Sequence, residues 1–283
     1  MTDGVGAPPV EPFFLEADGG QRFCLYHPPV GRARGALLYL HPFAEEMNRA
    51  RRMAALQARA FTRAGHAVLQ IDLAGCGDSS GDFGQARWDT WRADVALGAD
   101  WLRARVDAPL RLWGLRLGAL LALDYARLQD AQPVAGMLLW QPVLKGSTCL
   151  TQFLRLRLAG AMLAEGQAQG GTHALRAALQ AGETLEIGGY DIAPELAAAL
   201  DALEPLEAML PACPVDWFEA VSAPGADASP GAARAAAAWQ ARGADLRLHP
   251  VHAAPFWATS EITESVPWLD ATSSVLEARL HEY

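Results

Sequence analysis

No stretch of the chain reaches the roughly 18 consecutive apolar residues that a membrane-spanning helix needs. The longest apolar helical candidate, 114–126, is broken by Arg116, Asp124 and nearby glycines. Positive charge is also short: 23 basic against 32 acidic residues give a formal net charge of −9, which argues against nucleic acid and against a polybasic membrane patch. Cysteines number only four (Cys24, Cys76, Cys149, Cys213), widely spaced and without a CxxC pair. Neither a disulfide framework nor a zinc site is indicated, reduced thiols are expected, and no cofactor is called for. The first residues lack a basic region followed by an apolar run, so 1–12 reads as a disordered leader rather than an export signal, and a cytoplasmic protein without stable membrane insertion is expected.

What the chain does have is about half hydrophobic residues over 283 positions, enough for a sizeable core. Residues 13–17 and 21–27 read as a strand pair around Gly19 and Gly20, and 35–41 as the first buried strand. Helical spacing follows over 51–65, a continuous apolar strand over 66–72, an amphipathic helix over 88–105, a strand over 110–115, a helix over 117–128 and a strand over 134–141. Near-continuous apolar strands alternating with helices predict a mostly parallel, doubly wound α/β sheet of about eight strands, covered on both faces. From 145 to 210 the alternation stops, and a Leu-, Ala- and Gln-rich stretch with glycine breaks at Gly166, Gly170–Gly171 and Gly188–Gly189 predicts a helical lid or cap. The core, 13–144, resumes over 211–283 with a strand at 215–221, an alanine-rich helix at 230–242, a last strand at 245–251 and a closing helix at 268–281.

The informative segment is Trp113-Gly114-Leu115-Arg116-Leu117-Gly118-Ala119, with the strand, Gly-x-x-x-Gly turn and helix layout of a nucleophile elbow. The turn exposes its central residue above the sheet. In hydrolases of this layout that residue attacks the substrate, but here it is Arg116, a side chain that stays protonated and cannot attack. It can bind an anion, helped by the amides of the helix beginning at Leu117. Two supporting segments come earlier. His41-Pro42-Phe43-Ala44-Glu45-Glu46 occupies the strand-to-loop position that supplies one oxyanion-hole amide, which makes Phe43, Ala44 and Leu117 the candidate amides. Asp72-Leu73-Ala74-Gly75-Cys76-Gly77-Asp78-Ser79 is a glycine turn after the next strand; its serines read as turn and helix caps and Cys76 as packing.

A triad also needs an acid and a histidine late in the chain. Glu219 and Asp227 are acid candidates without a recognisable turn around them. His252 is the base candidate, while Phe256 falls where the histidine is expected. Glu45 and Glu46 are expected on the loop facing Arg116, where a carboxylate pairs with the guanidinium. Either that pair belongs to a polar pocket for an acyl or anionic ligand, or it bridges and holds a relict site.

Taken together, the runs at 42–48, 51–53, 73–83, 113–123 and 140–146 resemble the exosortase A system-associated hydrolases, the second of two hydrolase-like types found with that system. The resemblance spans about 13–268 and is strongest over 40–146. It implies the α/β-hydrolase fold and a cytoplasmic protein associated with PEP-CTERM protein sorting and exopolysaccharide synthesis in Gram-negative bacteria. The hydrolase label rests on fold, which does not by itself establish chemistry. Two functions stay open: a hydrolase of ester, thioester or other acyl bonds with a non-standard site of Arg116, Glu46, Glu45 and His252, and an inactive family member that binds an anionic ligand or a sorting-system partner. A homodimer through the lid or an edge strand is compatible with either.

Overall fold

The computed structural model describes residues 8–128, 132–165 and 170–280. Residues 1–7 of the expected leader, the expected break at Gly166 and the expected helix terminus at His281 lie outside the described residues. Strands β1 (Glu11–Ala17) and β2 (Gly20–His27) form the first hairpin, so pairing begins at Glu11, inside the segment expected to be leader. The chain continues through β3 (Gly35–Leu40), α1 (Glu45–Arg63), β4 (His66–Ile71), α2 (Trp88–Arg105), β5 (Leu110–Leu115), α3 (Leu117–Ala126) and β6 (Gly136–Trp140). After α4 (Gly146–Glu165), α5 (Gly171–Gln180), β7 (Leu185–Ile187), β8 (Tyr190–Ile192) and α6 (Pro194–Ala202), it closes with β9 (Val215–Val221), α7 (Pro230–Ala241), β10 (Leu246–His252) and α8 (Val266–Leu280).

Eight strands form one sheet in the order β1-β2-β4-β3-β5-β6-β9-β10. Pairing is antiparallel as far as β4 and parallel from β4 to β10. This is the α/β-hydrolase fold. Side-chain alternation divides the apolar residues between two cores. Leu38, Leu40 and Leu112 face Trp91 and Leu102 of α2, Leu120 of α3 and the α7 side, where Trp239 is buried. Leu37, Tyr39, Trp113 and Leu115 face Met53 and Phe61 of α1 and Trp268 of α8. In the second core Trp140 lies edge-on to Trp113, Phe256 and Trp268 with centroids 4.8 to 5.8 Å apart, a geometry that adds to simple burial.

The stretch between β6 and β9 is not wholly helical as expected. Gly188 and Gly189, with φ of 57° and 85°, turn a hairpin between β7 and β8. Two consecutive positive φ angles define a turn that strongly favours glycine, and the buried, exposed, buried order of Leu185, Glu186 and Ile187 completes the signature.

His66 opens β4 fully buried, with the nearest carboxylate oxygen, on Glu277, 3.9 Å away. Burial, reinforced by Arg111 and Arg34, pushes its pKa down to about 4. Between that value and the ordinary histidine range the unfolded chain binds a proton that the fold does not, so stability rises with pH through this window and is lost on acidification. The full shift corresponds to about 3 kcal/mol. Urea denaturation of wild type and His66→Leu at several pH values should show the variant losing less stability than wild type between about pH 6.5 and 4.

Candidate functional site: the occupied elbow

Two glycines set the geometry at the end of β5. A Cβ on Gly114 would sit 2.5 Å from the Ala119 Cα, and one on Gly118 would collide with the backbone carbonyls of Leu40 and His41. The first turn of α3 therefore packs against the ends of β5 and β3 at a separation that only glycine permits. Between them Arg116 takes φ 56° and ψ −114°, a conformation that costs a non-glycine residue on the order of 1–3 kcal/mol. Ala44 at the start of α1 (φ 49°) and Gln141 after β6 (φ 41°) are the other non-glycine residues with positive φ among the described residues. All three follow the carboxyl ends of parallel strands, the edge at which ligands bind in open α/β sheets.

Arg116 is held from three sides. Its Nε donates to Glu46 Oε1 at 3.2 Å, its Nη2 donates to Gln152 Oε1 at 3.2 Å, and its guanidinium carbon lies 5.8 Å from the centre of the Trp257 ring, within range of a cation–π contact. Glu46 is not on a loop as expected. Helix α1 begins at Glu45, six residues before the expected start, so both glutamates lie in its first turn, where the helix dipole favours negative charge. Glu45 pairs with Arg49 at 3.3 Å and does not contact Arg116. Burial raises the Glu46 carboxyl above its ordinary range, and the opposing pull of Arg116 does not fully offset it. The side chains of Arg116 and Glu46 are 14% and 23% exposed, and at this depth desolvation outweighs attraction.

Phe43, Ala44 and Leu117 line a common cavity with His41 and Gly118, but its volume is only about 10 Å³, room for one water at most. His41 is fixed in this wall: Nδ1 donates to the Pro42 carbonyl and Nε2 accepts from the Leu73 amide, a neutral form in keeping with a pKa lowered by burial. The glycine turn after β4 is structural. Ser79 Oγ accepts from the Phe23 amide and donates to the Asp72 carbonyl, and Ser80 Oγ accepts from the Gln21 amide. Burial raises the Cys76 thiol far above neutrality and pushes the Cys149 thiol, beside Glu46 and Arg116, up to about 12. Neither supplies appreciable thiolate at neutral pH.

The late segments bring no base to the elbow. His252 ends β10 exposed and is not among the contacts of Arg116. Phe256, at the position expected for histidine, is fully buried among Trp140, Trp257 and Trp268. Glu219 lies within β9, where it accepts from Trp217 Nε1 and Ser229 Oγ and so anchors the cap of α7. Asp227 is exposed on the loop that follows.

A family model described as serine aminopeptidase, S33, matches residues 31–186, more than half of the chain. The chain belongs to this family. Family membership covers the elbow and both supporting segments, and places the chain in the α/β-hydrolase superfamily. Similar solved structures include a thermostable carboxyl esterase from Bacillus coagulans in complex with glycerol, 14% identical with a TM-score of 0.64, covering 96% of this chain and 99% of that one. A lipase in its open form is 15% identical with a TM-score of 0.67, covering 97% and 99%. Est1E from Butyrivibrio proteoclasticus with ferulic acid bound is 12% identical with a TM-score of 0.62, covering 95% and 98%. At such identities the likeness is one of fold. No curated protein matches the chain. Among the described residues no group of side chains is arranged to hold a metal ion, and no helix is long and apolar enough to cross a membrane.

Sequence reasoning missed Gln152 and Trp257. Gln152 reaches Arg116 from α4, 36 residues away, and no local pattern announces that contact. Trp257 adjoins the anomalous Phe256, and that missing histidine was the available signal. Glu46→Gln keeps an oxygen for Arg116 and removes a buried charge. Because the fold raises this carboxyl, its contribution is fully present below the unfolded pKa and declines as pH rises. Denaturation curves should therefore show Glu46→Gln at least as stable as wild type at pH 7, with its relative advantage shrinking as pH falls toward about 4.5.

Proposed function

We propose that this family member has exchanged nucleophilic hydrolysis for binding of an anionic ligand at the elbow. The observation that carries the reading is Arg116 in the strained position of the nucleophile, held by Glu46 and Gln152. A permanently charged guanidinium cannot attack a carbonyl, and buried Phe256 stands at the sequence position where the base that would activate a nucleophile is expected. The ligand engages Arg116 rather than the amides of Phe43, Ala44 and Leu117, whose shared space is about 10 Å³. Residues 145–210 act as a cap over a core of 13–144 and 211–283. Support for the cap comes from Gln152 on Arg116 and from Asn48 Nδ2 donating to the Tyr190 hydroxyl.

The runs at 42–48 and 113–123 support assignment to the exosortase A system-associated type. In that setting the protein works in the cytoplasm beside PEP-CTERM sorting and exopolysaccharide synthesis, and its ligand is an acyl or anionic species of that machinery. A second reading, hydrolysis of an acyl bond by an activated water, is favoured by the raised Glu46 carboxyl next to Arg116, since a base poised nearer neutrality is the more effective one.

Hydrolysis of p-nitrophenyl esters and acyl thioesters by wild type, Arg116→Ala, Arg116→Ser and Glu46→Gln separates the two. No turnover above background is expected from any of them, Arg116→Ser included, because a serine at the elbow gains no base. Wild-type turnover abolished in both Arg116→Ala and Glu46→Gln would overturn the binding reading in favour of water activation.

A further inference from the structure

Beside Arg116 lies a slot of about 180 Å³ that Glu46 and Gln152 share with Phe43, Phe153, Leu156 and Trp257. Its composition is divided. Its polar side combines Glu46 and Gln152, which hold the guanidinium, with the Glu45–Arg49 pair of α1, and its apolar side is a wall of three aromatic rings and one leucine. Leu156 is 43% exposed on α4, leaving a large apolar side chain at the edge of the slot without full cover. The volume falls below the roughly 300–1,000 Å³ typical of drug-sized ligands, and it corresponds to the share of about six waters in the liquid. A charged floor with an apolar wall and little room suits a short aliphatic chain ending in an anion.

Arg116 is already paired, so an incoming anion must replace what holds it. Glu46 presents one carboxylate oxygen to the guanidinium Nε, in effect an internal carboxylate ligand fixed to α1. We infer that the slot is a site for short-chain aliphatic carboxylates, in which the ligand's carboxylate replaces that of Glu46 on Arg116 and Glu46 takes up one proton from solvent. The inference rests on the reading of the elbow as an anion site. One negative charge enters the slot and one is neutralised, so the buried charge is unchanged by binding. The chain of the ligand then lies against Phe153, Leu156 and Trp257, where each methylene removed from water tightens binding about fourfold at full burial.

The groups facing Glu46 come from every side of the slot. Glu45 and Arg49 share α1 with it, Arg116 comes from the elbow, Cys149 and Gln152 from α4, and Trp257 from the loop after β10. Arg116 and Arg49 favour the carboxylate form, while Glu45 and burial disfavour it, with burial largest. Cys149 is held as a neutral thiol by the same burial. Protonation of Glu46 on ligand entry therefore completes a change that its surroundings already promote.

Isothermal titration calorimetry of the wild-type protein with acetate, butyrate and hexanoate, and with hexylamine and inorganic phosphate as controls, tests this directly. Hexanoate is expected to bind more tightly than butyrate and acetate, with hexylamine and phosphate silent. Repeating the hexanoate titration in buffers of different ionisation enthalpy should reveal uptake of close to one proton, and affinity should weaken as pH rises, at most about tenfold per pH unit. Glu46→Gln, which needs no proton, is expected to bind hexanoate at least as tightly as wild type and without this pH dependence. Hexanoate binding without proton uptake, or unchanged pH dependence in Glu46→Gln, overturns the exchange. Phosphate or acetate binding as tightly as hexanoate leaves the anion site standing but overturns the aliphatic class. Silence from every anion in both wild type and Glu46→Gln overturns the inference and the elbow reading together.

Discussion

The site depends on one close approach. The first turn of α3 passes the carboxyl end of β3 so tightly that Gly118 leaves no space for a Cβ between itself and the Leu40 and His41 carbonyls. That packing fixes the direction of α3, and Gly114 lets the strand meet the helix at the same separation. Residue 116 is forced into positive φ as a consequence. Whatever side chain stands there projects above the sheet toward α1 and α4. The backbone thus keeps the presentation device of a hydrolase whether or not the presented group can react, and intact glycines report architecture rather than activity.

With arginine in that position the energetics change sign. A nucleophile needs a base to take its proton, whereas a guanidinium needs counter-charge and acceptors. The chain supplies these with Glu46, Gln152 and the face of Trp257. The supply is incomplete in an informative way, because burial raises the Glu46 carboxyl despite the adjacent cation. A pair in which desolvation exceeds attraction adds little to stability, and it yields readily to a competing carboxylate once one partner accepts a proton. Phe256, at the position where the sequence pattern leads one to expect a histidine, packs instead into the aromatic core against Trp140 and Trp268. The two changes are adjacent, since Trp257 both follows Phe256 and covers Arg116.

Much of this was legible in the sequence because the signals were local. Apolar runs such as 110–115 and the Gly-x-x-x-Gly spacing around Arg116 follow from strand burial and from a turn that two glycines make feasible. The early start of α1 was not legible: Ala44 precedes it with no side chain able to cap, and the first turn is closed by the Phe43 and Ala44 carbonyls instead. The β7–β8 hairpin carried a readable signal in Gly188–Gly189 between alternating residues, hidden by strands of only three residues each. The contact of Gln152 with Arg116 joins α4 to the carboxyl end of β5, and such a contact is set by tertiary packing that no sequence period encodes.

The central claim is that Arg116 is a held, displaceable cation rather than a structural relic. The most direct measurement is the ¹⁵N-resolved NMR signal of the Arg116 Nε–H, assigned by its loss in Arg116→Lys. The account predicts a resolved signal, slowed in solvent exchange by the Glu46 carboxylate, that shifts on addition of hexanoate and shifts further at pH 6 than at pH 8. A resolved signal that hexanoate leaves unmoved at either pH would contradict it, and the Arg116–Glu46 pair would then be a fixed bridge across a closed site.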